Sequence, residues 1–217
     1  MSIRVVIADD HPVVRDGLRL TIERSGKDIT VIGEAADGLE VLKTLGTRPA
    51  DVYIIDVTMP NLNGIETARE LLKKAPASKI IMLSLHDTKA IVEAALEVGA
   101  RGYLTKETAT RNVVEAISEV HAGRFYLSPS ISHFIVEDSL KGKKGSQNSR
   151  PAPALTGQER KVLQLVAEGR SNKEVADLLG LSVNTIRVHR NNIMVKLDIH
   201  KQTDLVRYAI KADIAKL

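Results

Sequence analysis

Three aspartates could do chemistry here. Asp9 and Asp10 follow the apolar run Ile3-Arg4-Val5-Val6-Ile7-Ala8, and Asp56 closes a second run, Val52-Tyr53-Ile54-Ile55. Three carboxylates gathered in one place repel one another unless a cation sits among them. Ligation by oxygen alone suits a hard ion such as Mg²⁺, which takes few protein carboxylates and keeps waters and phosphate oxygens. A carboxylate beside such an ion can attack a phosphoryl group and form an acyl phosphate. The chemistry suggested is phosphoryl transfer.

Gathering the acids requires elements that end together. Both runs are rich in Val and Ile and too short for helices, which suits buried parallel strands. Strands are expected at Ile3–Ala8, Thr30–Ala35, Val52–Asp56, Ile80–Ser84 and Gly102–Thr105. Helical patterns alternate with them at Pro12–Arg24, Gly38–Leu45, Gly64–Lys74, Lys89–Val98 and Arg111–Ala122. Five such units predict an α/β fold with a doubly wound parallel sheet in the order 2-1-3-4-5. Strands 1 and 3 are then neighbours at the switch point, with Asp9, Asp10 and Asp56 in the ligand crevice.

Other groups end strands at the same edge. Pro60 and Gly64 force a loop directly after Asp56, leaving its carboxylate accessible. Ser84 ends strand 4 with a hydroxyl, and Lys106 follows strand 5 with a cation that could stabilise phosphoryl oxygens. Each has an ordinary explanation alone: Asp9 and Asp10 could cap the helix at Pro12, and Ser84 or Lys106 could simply be solvated. Their coincidence at successive strand ends argues for a site.

The rear of the chain differs. Lys141 to Ala154 is rich in Gly, Pro, Ser and Lys and reads as a linker. After it, Thr156-Gly-Gln-Glu159 and Ser171-Asn-Lys-Glu174 are capping boxes, Gly180 makes a tight turn, and Ser182 caps a helix over Val183–Leu197. Two helices joined through a Gly turn form a helix-turn-helix signature. On the last of these helices Ile186, Ile193 and Leu197 share an inward face. Asn184, Arg187, Val188, Asn191 and Val195 lie on the other face and offer donors and an apolar patch to base edges, Thr185 is a further DNA-binding candidate, and Lys173, Arg190 and Lys196 are better placed as phosphate contacts. An ordinary solvated helix face is the alternative. His189 reads as a packing or phosphate-contact residue rather than a metal ligand.

Charge supports the division. Residues 1–124 carry a net −2 and residues 125–217 a net +6, which suits a rear half facing a polyanion. Cysteine is absent, which excludes disulfides and thiolate metal sites and fits a reducing compartment. Met1 leads directly into the first strand, so no signal peptide is expected. No stretch is long and apolar enough to span a membrane. Aromatics make up 3% of the chain, too few for base or sugar stacking to be the main chemistry.

Ile7-Ala8-Asp9-Asp10-His11, Asp56-Val-Thr-Met-Pro60-Asn-Leu-Asn-Gly64, Leu83-Ser84 and Gly102-Tyr103-Leu104-Thr105-Lys106 resemble the flavodoxin-like receiver domain of two-component response regulators. The resemblance implies that Asp56 accepts a phosphoryl group from a sensor histidine kinase. It implies Mg²⁺ on Asp9, Asp10, Asp56 and the backbone carbonyl of Thr58, with Ser84 and Lys106 on the phosphoryl oxygens. Tyr103 matches the family's switch aromatic, which moves inward as Ser84 is drawn to the phosphate. Leu155-Thr-Gly-Gln-Glu-Arg-Lys-Val-Leu163, Ala167 to Glu174, Thr185-Ile-Arg-Val-His189 and Lys196-Leu197 resemble the LuxR-type DNA-binding domain. The whole chain is similar to the NarL/FixJ subfamily. That implies a cytoplasmic, phosphorylation-dependent transcription regulator with a receiver at 1–125, a connecting segment and linker at 126–154, and a small all-α domain at 155–217. It implies a homodimer on double-stranded promoter DNA through Gln202–Lys211, with Arg187, Val188 and Asn191 at positions that commonly reach bases. Asn191 stands where a cation is frequent, which suggests a different base preference. The chain would be a phosphoacceptor, at most able to hydrolyse its own phosphoryl group. A Mg²⁺-dependent phosphotransferase or phosphatase is one rival, but neither a substrate lid nor a separate general acid is evident. A constitutive DNA-binding protein whose front domain only dimerises is the other, and it would not need the acids.

Overall fold

Side chains alternate across a strand, and strand Val52–Asp56 is buried at every position. It must therefore be covered on both faces. A computed structural model describes residues 2–44, 49–86, 88–129, 131 and 155–216. In it, β1 (Ile3–Ala8), β2 (Ile29–Ala35), β3 (Val52–Asp56), β4 (Lys79–Ser84), β5 (Gly102–Thr105) and β6 (Tyr126–Leu127) form one parallel sheet ordered β2-β1-β3-β4-β5-β6. One face carries Val6, Tyr53, Ile55, Ile80, Met82 and Tyr103 under α2 (Gly38–Thr44), α3 (Gly64–Lys74) and α4 (Lys89–Glu97). The other carries Val5, Ile7, Ile54, Ile81 and Leu104 under α1 (Pro12–Arg24) and α5 (Lys106–His121).

The fold class and the order of the first five strands agree with the sequence reading, with two differences. The sheet has a sixth strand, β6, inside the stretch read as connector. Two residues are too short to show a period. Ile131, fully buried, joins the same core, so receiver packing continues past residue 125. Helix α5 begins at Lys106 rather than Arg111; the threonines of Lys106-Glu-Thr-Ala-Thr disguised its first turn. The linker read at 141–154 lies outside the described residues.

The C-terminal helices are α6 (Gly157–Ala167), α7 (Asn172–Leu179), α8 (Val183–Leu197) and α9 (Gln202–Lys211). Both capping boxes are present, and the Ser182 side chain accepts from the Thr185 amide. Gly180 takes the left-handed conformation at φ +66°, which glycine adopts without a Cβ penalty. Val162, Leu163, Val166, Val175, Ile186, Ile193 and Leu205 close a core separate from the sheet. No helix among the described residues is long and apolar enough to cross a membrane.

Candidate phosphoacceptor site and nucleic-acid interface

β1 and β3 are paired so that Ala8 lies opposite Ile55, so the residues that follow, Asp9, Asp10 and Asp56, emerge at one edge. Ligand atoms of Asp9, Asp10, His11 and Asp56 all lie within 4.8 Å of one another. Asp9 and Asp56 are buried, at 0% and 2% exposed. Gly64 sits directly under the acceptor: a Cβ there would fall 2.1 Å from the Asp56 carbonyl oxygen. The glycine is thus required by the close approach of the α3 start to the acid.

Lys106 joins the acids, with Nζ 2.6 Å from Asp9 Oδ2 and 2.8 Å from Asp56 Oδ2. Burial pushes the Asp56 carboxyl above its ordinary range and the Asp9 charge adds to this, while Lys106 opposes both. Burial would lower the Lys106 ammonium, but Asp56 and Asp9 together hold it above its usual value. His11 Nδ1 lies 2.8 Å from Asp10 Oδ1 and 3.1 Å from Asp9 Oδ1. Thr58 donates its amide to Asp56 Oδ1 at 3.3 Å and lines, with Asp56 and Lys106, a cavity of about 300 Å³.

This donor set fits Mg²⁺. Three hard carboxylates, those of Asp9, Asp10 and Asp56, lie at short mutual range with the His11 ring beside them, and two lysines are drawn onto the acids. The second is Lys216, 206 residues away in sequence, with Nζ 3.0 Å from Asp10 Oδ1. Burial pushes Asp10 up, but the bond to Lys216 and its charge carry it below the ordinary range.

Ser84 and Tyr103 meet at His86. Ser84 is buried, and its Oγ accepts from the His86 amide at 3.0 Å. The Tyr103 hydroxyl donates to the His86 carbonyl at 2.8 Å, and its ring is 0% exposed. The ring is therefore buried in this structure.

The two halves touch along the loop after Asp56. Gln164 of α6, 0% exposed, donates to the Met59 carbonyl and accepts from the Asn63 amide, both at 2.8 Å. Arg160 Nε reaches Glu66 at 2.5 Å and Lys161 Nζ reaches Glu70 at 2.8 Å. The sequence reading missed these contacts, as it missed Lys216 and the part played by His11. Gln164 carries the one local hint, a polar residue inside the apolar run Val162-Leu163-Gln164-Leu165-Val166.

Helix α8 turns away from the receiver. Asn184, Arg187, Val188 and Asn191 are exposed, as is Lys173 on α7, while Thr185 is half-buried with its hydroxyl 2.8 Å from that of Ser182. Arg190 and Lys196, read from the sequence as phosphate contacts, also bond within the domain. Arg190 bridges Asn172 at 2.6 Å and Gln202 at 3.0 Å, tying α7, α8 and α9 together. Lys196 Nζ bonds the Glu159 carboxylate at 2.7 Å. Acceptors on other helices engage both cations, buried in the case of Glu159, which periodicity alone does not reveal.

Residues 5–118 match the response regulator receiver domain, and residues 153–209 match the bacterial regulatory proteins of the luxR family. The chain belongs to the NarL/FixJ-type response regulators. It is 36% identical over 212 residues to the transcriptional regulatory protein MctR of Rhizobium johnstonii, covering 96% of this chain and 94% of that one. It is 31% identical over 222 residues to the transcriptional regulatory protein DegU of Brevibacillus brevis, covering 97% and 94%. Its structure is similar to RcsB of Salmonella enterica serovar Typhimurium, solved bound to a promoter in the presence of the phosphomimetic BeF3-, with a TM-score of 0.63, 28% identity and coverage of 96% and 98%. A response regulator of this architecture is a transcription regulator, not a dedicated enzyme, and receivers in general bind Mg²⁺ at such an acidic cluster.

Proposed function

We propose that Asp56 is the phosphoryl acceptor of a cytoplasmic two-component pathway and that its state controls promoter binding by α8. The observation that carries this is the buried Asp56 carboxylate held 2.8 Å from Lys106 beside Asp9 and Asp10. An Asp56 oxygen attacks phosphorus and forms the new O–P bond. The bond from phosphorus to the donor breaks, and its electron pair leaves on the histidine nitrogen of a sensor kinase or on a small acyl donor. Lys106 is within reach of the phosphoryl oxygens, where its charge offsets theirs. Mg²⁺ on Asp9, Asp10, Asp56 and the Thr58 carbonyl, when bound, neutralises charge on the phosphoryl oxygens. Slow hydrolysis of the acyl phosphate by water would reset the protein.

Readout runs through His86. The Ser84 hydroxyl, drawn to the phosphoryl group, releases the His86 amide, while Tyr103 still grips the carbonyl of the same residue. Movement there reaches the end of α9, since His86 and Asp213 line one cavity with Ile210. Two copies pairing through α9 would set two α8 helices on the half-sites of a duplex. The RcsB–promoter likeness and the exposed Arg187, Val188 and Asn191 support this part. The test is intact mass after incubation with Mg²⁺ and acetyl phosphate. Wild type should gain one phosphoryl group, and Asp56→Asn should gain none. An equal gain on the variant overturns the assignment.

A further inference from the structure

The segment after α9 brings Lys216 into the acidic pocket. Asp213, at φ +52°, turns the chain after α9. Asn63 Nδ2 then holds the Ile214 carbonyl at 3.3 Å, and Ala215 is buried at 4% exposed. The next side chain, Lys216, places Nζ 3.0 and 3.3 Å from the two oxygens of Asp10 and 3.5 Å from Asp56 Oδ2. Its side chain is 35% exposed. The backbone before it is thus held to the receiver by Asn63 and to α9 by the Ile214 and Ala215 amides on the Ala209 carbonyl.

We propose that Lys216 is an internal occupant of the divalent-cation site, so that cation binding and docking of the C-terminal tail exclude each other. This rests on the reading of Asp9, Asp10 and Asp56 as the Mg²⁺ site. Asp10 and Asp56 are needed by both ligands. Mg²⁺ binds carboxylate oxygen at about 2.0–2.1 Å, and an ammonium bridging the same oxygens leaves no room for it and repels it. Of the two lysines only Lys216 contacts Asp10; Lys106 contacts Asp9 and Asp56. The exclusion is reciprocal: whatever docking costs the cation, the cation costs docking by the same factor. The tail thereby links the state of the acceptor pocket to the contacts of Gln164, Arg160 and Lys161 without any movement passing through the sheet.

The test uses the full chain and Mg²⁺ alone. Amide NMR titration measures Mg²⁺ affinity for wild type, Lys216→Met and Lys216→Arg. Lys216→Met should bind Mg²⁺ roughly fivefold more tightly or better, and Lys216→Arg should stay close to wild type. In parallel, an amine-acylating reagent followed by mass spectrometry should find Lys216 more reactive when Mg²⁺ is added to wild type. Equal affinities for wild type and Lys216→Met, or a Lys216 reactivity that ignores Mg²⁺, overturn the inference and leave the Mg²⁺ site standing. If no variant binds Mg²⁺ at all, the underlying reading of the site falls and the inference falls with it.

Discussion

At the acceptor pocket the groups that meet come from positions as distant as Asp9, Asp56, Lys106 and Lys216. Around the reader helix α8 the groups that fix its start lie within a few residues: Ser182 caps Thr185, and Gly180 turns the chain just before. The pocket is a set of buried like charges held together by cations, so its parts are stable only jointly. The reader is a stack of independent local devices, each contributing a kilocalorie or so. Damage to the first should therefore be large and rescuable by a cation. Damage to the second should be small, additive and indifferent to one.

The strongest way to break that contrast is Lys106→Met. It strips the buried Asp9 and Asp56 carboxylates of their nearest counterion and should cost about 3–5 kcal/mol of receiver stability. Urea unfolding with and without Mg²⁺ should show part of that loss restored by the metal. A loss below about 1 kcal/mol, or no recovery, would mean that the pocket is not a jointly stabilised unit.

An intermediate effect is expected on DNA. Arg187→Ala should cost about 1–3 kcal/mol on a cognate duplex and relax preference at one base. Lys173→Ala should weaken all sequences alike and flatten the salt slope by about one unit. Binding to cognate and scrambled duplexes across a salt series separates them; an equal Arg187→Ala loss on both duplexes would make Arg187 a phosphate contact.

The smallest effect sharpens the comparison from the reader side. Glu159, 3% exposed, accepts from the Thr156 amide and from Lys196, both at 2.7 Å. Burial pushes its carboxyl up, but Lys196 and the Thr156 amide together carry it below the ordinary range. A depressed folded-state pKa means stability that is present above the ordinary glutamate pKa and lost as pH falls through the lower folded value. Glu159→Gln should thus destabilise the C-terminal domain by about 1 kcal/mol at neutral pH and less at strongly acidic pH. Thermal melts across pH check this, and Mg²⁺ should leave the difference unchanged.

The same contrast explains what could be read from the chain. Strand ends carrying Asp9, Asp10, Asp56 and Ser84, both capping boxes and the Gly180 turn are local or periodic signals, and each was legible. What was not legible depends on partners distant in sequence. The bond from Lys196 to Glu159 spans 37 residues. Arg190 is held by Asn172 and Gln202 on two other helices. The union of Gln164 with Met59 and Asn63 spans more than a hundred residues, and β6 was too short to register.

The outward aim of α8 has a kinetic consequence. Arg187 and Lys173 stay in solvent while α6 is docked on the receiver, so their pull toward a polyanion does not wait for undocking. Such sequence-independent attraction is what lets a protein slide and hop along a duplex. On the proposed function, scanning of a duplex would precede the signal rather than follow it.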